Sequence, residues 1–199
     1  MSMIEEFQRI GRDLFLSGLV SSHGGNMSVR MGDRVLITHR GSQLGQITEE
    51  DVVETGLFDN DSGIMLASSE TPVHRTIYMQ TAGLAIVHAH PKVAVALSLF
   101  EDEIIPIDNE GSYLLHKVPV ISSEIASGTA MAGIVAESLQ KYKITMVRGH
   151  GCFAIGQVLE EAYQWVSCLE ESALVIYYSR TLGGQMKEFR KNADQYKKW

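Results

Sequence analysis

A chain of 199 residues, 45% apolar and 21% charged, has the make-up of a globular domain able to bury its own core. A net charge of −7 with no basic block to offset it argues against a nucleic-acid partner, since the basic residues of Lys187–Lys198 are mixed with Glu188 and Asp194. No apolar run approaches the roughly eighteen residues of a membrane span, the start Met1-Ser2-Met3-Ile4-Glu5-Glu6 is too acidic for a secretory signal, and Cys152 and Cys168 read as reduced thiols of a cytoplasmic protein.

Ile4, Phe7, Ile10 and Leu14 recur at helical steps and predict an amphipathic helix that stops near Gly18. A small, polar loop, Ser21-Ser22-His23-Gly24-Gly25-Asn26, leads into a strand at Met27–Arg30. Gly32-Asp33 is a two-residue hairpin turn before a second strand, Val35–Thr38. After the loop His39-Arg40-Gly41-Ser42, a third strand is expected at Val52–Phe58 with a turn at Asp59–Gly63. Ser68-Ser69-Glu70-Thr71-Pro72 carries hydroxyl caps, an early acid and a proline, the signature of a helix start, and that helix should run to about Gln80. Leu84–Ala89 is small and apolar and reads as a buried strand stopped by Pro91. A short helix over Pro91–Leu99 follows, then extended pieces at Ile104–Asp108 and Val118–Ile121. A helix over Ser123–Lys141, strands at Ile144–Arg148 and Cys152–Ile155, a long helix over Leu159–Leu182 and a polar tail complete the chain. With no repeat or linker, residues 1–199 read as one α/β domain around a mixed or largely antiparallel sheet.

Three groups of residues point to chemistry. His88 and His90 are one residue apart at the end of a strand, so both imidazoles face the same way and can chelate one ion; equally, one can satisfy a backbone group and the other face water. His150 lies between Gly149 and Gly151 in a tight turn. A turn histidine alone more often bonds its own backbone, but with the pair it completes a three-imidazole set that leaves one coordination position open. Glu70 stands at the helix start, where an acid commonly does no more than complement the helix dipole. Beside an open metal position the same carboxylate can take a proton from bound substrate. Ser68, Ser69, Asn26 and the Arg40-Gly41 loop offer hydroxyls, amides and a cation for a phosphate group.

These motifs, in this order, are similar to those of the class II aldolase/adducin superfamily, the group that includes the fuculose-phosphate aldolases. The matching stretches are Gly24–Arg30, Ile37–Gly41, Ser68-Ser69-Glu70, Val87–His90 and Gly149-His150-Gly151. The resemblance implies a three-layer α/β/α sandwich around a nine-stranded, mostly antiparallel sheet, assembled as a homotetramer with active sites at subunit interfaces. It implies Zn2+ ligands at His88, His90 and His150, a catalytic acid/base at Glu70 and phosphate contacts at Asn26, Gly41, Ser68 and Ser69. The implied reaction is aldol cleavage or formation in a small ketose phosphate through a metal-stabilised enediolate.

The chain also departs from the family. Arg40 replaces a phosphate-contacting threonine, and the added cation suits either phosphate or a carboxylate. No tyrosine stands in register after the histidine pair; Asp108 and Tyr113 are nearby, and Tyr196 of the polar tail stands either for the family's tail tyrosine at a neighbouring site or for a solvated residue. A dehydratase resembling methylthioribulose-1-phosphate dehydratase would begin with the same deprotonation. An isomerase resembling ribulose-phosphate 4-epimerase would carry aspartate where this chain has Glu70, and an adducin-like binding module would lack the full histidine set.

Overall fold

Strand β4 (Ala85–Ala89) is buried at every position, and its alternation sets the layers of the molecule. Ala85, Val87 and Ala89 face one hydrophobic cluster, whereas Ile86 faces a second on the opposite side. In the computed structural model, which describes residues 2–122 and 129–187, seven further strands extend the sheet: β1 (Asn26–Met31), β2 (Arg34–Thr38), β3 (Val52–Gly56), β5 (Glu103–Ile104), β6 (Val118–Ile121), β7 (Ile144–Val147) and β8 (Gly151–Gly156). Their order is β3-β2-β1-β4-β8-β7-β6-β5, and only the β6–β7 pairing is parallel. Helices cover both faces. The core of one face takes side chains from α1 (Met3–Leu16), α3 (Lys92–Ser98) and α6 (Leu159–Leu182), with α4 (Asn109–Leu114) packed on α6; the other takes them from α2 (Thr71–Gln80) and α5 (Thr129–Leu139). The result is the three-layer α/β/α sandwich with a mostly antiparallel sheet that the motifs implied. The described residues form eight strands, not nine.

Local chemistry explains most of the boundaries. Helix α1 opens with a capping box, in which Ser2 Oγ accepts from the Glu5 amide at 3.2 Å and Glu5 Oε2 accepts from the Ser2 amide at 2.6 Å. Its stripe of Phe7, Ile10 and Leu14 is fully buried, each side chain contributing about 1.5–3 kcal/mol. The β1–β2 hairpin turns at Gly32-Asp33 with Gly32 at φ +62°, as the pattern predicted. Strand β3 stops at Gly56, two residues short of the expected end, where the Gly56 amide donates to Asp61 Oδ2 at 3.1 Å and the chain turns. The sequence pattern ends the Ile104–Asp108 segment as extended chain and shows no helix after it. Helix α4 forms there because Asp108 Oδ1 accepts from the Gly111 amide at 2.7 Å, an N-cap. The helix expected over Ser123–Lys141 is seen as Thr129–Leu139, and residues 123–128 lie outside the described residues. No described helix is long and apolar enough to cross a membrane.

Gly11 marks where α1 rests on the turn Leu44–Gln46. A Cβ there would overlap the Leu44 carbonyl oxygen and lie 2.9 Å from Ile47 Cδ1. Alanine in a helix interior is ordinarily worth up to about 1 kcal/mol over glycine, but overpacking against backbone costs about 1–3 kcal/mol. Gly11→Ala is therefore expected to destabilise the protein, read as a lower urea midpoint with an unchanged m-value; a higher midpoint would refute the packing argument.

Candidate active site

The β1–β4–β8 register puts Asn26 opposite His88 and His88 opposite Phe153. His88 stacks on the Phe153 ring at 4.2 Å between centroids and is 1% exposed. Its Nδ1 lies 2.9 Å from the Cys152 carbonyl oxygen. A carbonyl only accepts, so the proton is on Nδ1 and the Nε2 lone pair is directed into the cleft. His90, just past the end of β4, brings its Nε2 to 2.9 Å from His88 Nε2. His150 completes the group from the β7–β8 turn. Gly149 there has φ +68°, and a side chain at Gly151 would overlap the His90 ring. One ligand atom from each of the three imidazoles lies within 4.8 Å of the others.

Burial, and then the nearness of His90 and His150, hold the His88 pKa well below the usual histidine value; burial and His150 lower that of His90. Neutral imidazoles with convergent nitrogens are what a divalent metal requires. His150 Nδ1 is buried without a hydrogen-bond partner. The donor set therefore fits a metal.

Glu70 is the N-cap residue of α2, yet its side chain makes no cap hydrogen bond. The carboxylate turns across the imidazoles instead. Oε2 accepts from Asn26 Nδ2 at 2.7 Å and lies 3.3 Å from His88 Nε2, while Oε1 is 3.9 Å from His150 Nε2. The bland reading of Glu70 as an acid serving the helix dipole is thus not what the geometry favours. Ser68 Oγ accepts from the Glu70 amide at 3.3 Å, which fixes the backbone from which the carboxylate extends. One turn into α2, fully buried His74 is bonded through Nδ1 to Ser28 Oγ at 2.6 Å, and Ser28 Oγ to Tyr78 OH at 2.7 Å. His74 Nε2 has no partner, and burial takes the His74 pKa down to about 3.

Every residue assigned from the sequence to metal, base or phosphate borders one cleft of about 200 Å³: Asn26, Arg40, Gly41, Ser68, Ser69, Glu70, His88, His90 and His150. Gly41 has φ +76°, and neither its amide nor that of Ser69 takes a partner among the described residues. Both residues line the cleft, and unpartnered backbone amides are donors that an anion can use. The Asn26 amide is committed to Glu70, with Oδ1 buried and unpartnered. Asp108 and Tyr113 do not reach this cleft within one chain. Asp108 caps α4 and borders a separate acidic cleft with Glu110, Glu160 and Glu171. Tyr196 lies outside the described residues. The sequence pattern gives no role to His23 and His39, which also line the cleft, although each adjoins one of the motifs; nor does it mark Phe153, whose place depends on the β4–β8 register.

The family model for the Class II Aldolase and Adducin N-terminal domain matches residues 5–177. The L-fuculose phosphate aldolase of Methanocaldococcus jannaschii is 31% identical over 172 residues, covering 85% of this chain and 92% of its own. A 3-oxo-tetronate 4-phosphate decarboxylase of Pectobacterium atrosepticum is 28% identical over 179 residues, covering 86% of this chain and 82% of its own. Among solved structures, the l-fuculose-1-phosphate aldolase of Thermus thermophilus superposes with a TM-score of 0.86 at 40% identity, covering 92% of this chain and 98% of that one.

The buried histidines make stability depend on pH in a defined direction. His74, His88 and His90 all have folded pKa values below the ordinary 6.5, so below that pH the unfolded chain binds more protons than the folded one. The metal-free protein is expected to be at full stability above about pH 6.5 and to lose up to about 1.4 kcal/mol per pH unit for each such histidine on acidification. His74→Gln should make the slope shallower by one proton. Urea unfolding at a series of pH values reads both, and an unchanged slope would remove His74 from the account.

Proposed function

We propose a function from one premise: this chain belongs to the class II aldolase and adducin family. It acts as a metal-dependent lyase that forms or cleaves a carbon–carbon bond in a small ketose phosphate. The observation that carries this reading is the Glu70 carboxylate, held by Asn26 across the face of three converging imidazoles and beside a set of free anion donors. His88, His90 and His150 would hold Zn2+ or another divalent transition metal, whose Lewis acidity stabilises negative charge developing on substrate oxygens.

The chain's own residues do the rest. The Gly41 and Ser69 amides and the Ser68 and Ser69 hydroxyls receive the phosphate, and Arg40 adds a charge-assisted contact. Anchoring the phosphate fixes the substrate's next carbons over the imidazoles, beside Glu70. Glu70 takes the carbon-bound proton and returns it at the end of the cycle. Asn26 orients the carboxylate during that exchange, and the Phe153 face under His88 excludes water from one side of the site. The assembly is a homotetramer, a reading supported by family membership and by large apolar side chains left exposed in the single chain, Phe100 and Leu182 among them at 83% and 85%. Two buried free thiols suit the reducing cytoplasm.

A second reading, decarboxylation of a carboxylated sugar phosphate, is favoured by Arg40. Its exposed guanidinium forms no ion pair among the described residues, and a carboxylate suits it as well as phosphate does. The name of the Pectobacterium relative describes such a reaction. Dehydration of a five-carbon ketose phosphate shares the same first proton transfer and is a third outcome of the product assay.

The test is exchange of the carbon-bound proton of dihydroxyacetone phosphate in heavy water with metal-loaded protein. Glu70→Gln is expected to slow exchange by about 10²–10⁴-fold with metal content unchanged. Exchange at the wild-type rate would remove Glu70 from the mechanism; no exchange by the wild type, with release of carbon dioxide or water from another sugar phosphate, would replace the aldolase reading. Dihydroxyacetone without its phosphate should exchange far more slowly. Arg40→Thr should weaken phosphate-ester binding by about 1–3 kcal/mol. Equal turnover of free and phosphorylated ketose would overturn the phosphate seat.

A further inference from the structure

Two of the three imidazoles, 5.3 Å apart between ring centroids, are carried by segments attached to opposite ends of one short helix. His90 precedes Pro91, the N-cap of α3, and His150 follows Arg148-Gly149, which bind the helix's other end. A charged side chain from elsewhere in the fold holds each end. At the first turn, Glu170 of α6 accepts from the Val93 amide with both oxygens, at 3.0 and 3.1 Å, and from the Ala94 amide at 3.0 Å. Those are amides that a helix start otherwise leaves unpaired.

At the last turn, Arg148 uses all three guanidinium nitrogens. Nη1 donates to the Ser98 and Glu101 carbonyls at 2.6 and 3.2 Å, Nη2 to Asp102 Oδ1 at 2.6 Å and Nε to Ser122 Oγ at 2.9 Å. The Gly149 amide adds a bond to Ser98 Oγ at 2.9 Å. The backbone itself holds the His150 turn through the Val147–Gly151 pairing, the His150 amide on the Val147 carbonyl at 3.0 Å and the Arg148 amide on the Ile121 carbonyl at 2.9 Å, with a glycine on each side of the imidazole; the Arg148 side chain and the Gly149 amide are what tie that turn to α3. His90, for its part, lies beyond the last residue of β4, outside the strand's ladder.

We propose that Arg148 and Glu170 are positioning residues that clamp α3 at both ends and so set the separation of His90 and His150, forming the metal site in advance. The inference rests on the reading that these imidazoles bind a divalent metal. The clamp is separable from general support of α3, because a second ion pair lies at the same end of the helix without touching the His150 turn: Arg180 Nη1 to Glu101 Oε1 at 2.8 Å.

The experiment is Zn2+ titration of the metal-stripped full chain against a chromophoric chelator, with thermal unfolding recorded for each protein. Arg148→Met is expected to weaken Zn2+ affinity by about 10–100-fold. Glu170→Gln should shift it in the same direction, and Arg180→Met should leave it unchanged. Arg148→Lys should restore little, since one ammonium cannot span the four acceptors. Wild-type affinity in both Arg148→Met and Glu170→Gln, or an equal loss in Arg180→Met, would overturn the clamp while leaving the metal site standing. A wild type that takes up no Zn2+ would overturn the metal reading and the clamp with it. If Arg148→Met does not fold, Glu170→Gln against Arg180→Met decides the matter.

Discussion

The hydrogen bond from His88 Nδ1 to the Cys152 carbonyl is the constraint on which the site depends. It exists because β4 and β8 pair antiparallel with His88 opposite Phe153 and Ala89 opposite Cys152. A slip of one residue would send His88 into the opposite core and turn Phe153 away from it. The bond also chooses the tautomer. With Nδ1 committed to a carbonyl, Nε2 is left as an acceptor, and its lone pair meets the nitrogens of His90 and His150. Sheet register, a property of the whole fold, thereby settles the electronic state of one ring.

Glu70 depends on the same frame from the other side. Asn26 faces His88 across the β1–β4 pair, so the amide that holds the carboxylate and the ring it approaches belong to one row of the sheet. Helix α2 supplies the carboxylate from its N-cap and is tied to β1 by the buried His74–Ser28–Tyr78 chain. The proposed base is thus carried on a helix end whose next turn is locked to the strand beside it. That arrangement suits the proton transfer proposed for Glu70, which calls for a carboxylate of fixed direction.

Much of this was legible in the residues. The strand ending in His88-Ala89-His90, the glycines around His150, the hairpin at Gly32-Asp33, and the limits of α2 and α6 follow from periodicity and turn chemistry. What could not be read is what depends on contacts distant in sequence. Phe153 is an ordinary strand aromatic until β8 lies beside β4. Arg148 is one more cation in a turn until α3 presents its carbonyls. Helix α4 hides in Asp108-Asn109-Glu110-Gly111, whose composition suits a turn as well as a cap; the Asp108 cap is joined by the close packing of Gly111 on Ser172 of α6, a contact distant in sequence. The motif of Asn26 points to phosphate, and its bond to Glu70 emerges only when the two loops meet.

The alternation along β8 has a further consequence, for oxidation. Cys152 gives its carbonyl to His88, but its sulfur lies in the core on the far side of the sheet, with Ala89 and Ala154. Burial also raises its pKa, so the thiolate that peroxides and thiophilic metals attack is scarcely present. A cysteine whose own backbone anchors an imidazole of the candidate metal site would otherwise offer a soft ligand to the wrong ion. Here the pleat of one strand keeps sulfur chemistry and nitrogen coordination on opposite sides of a sheet one residue thick.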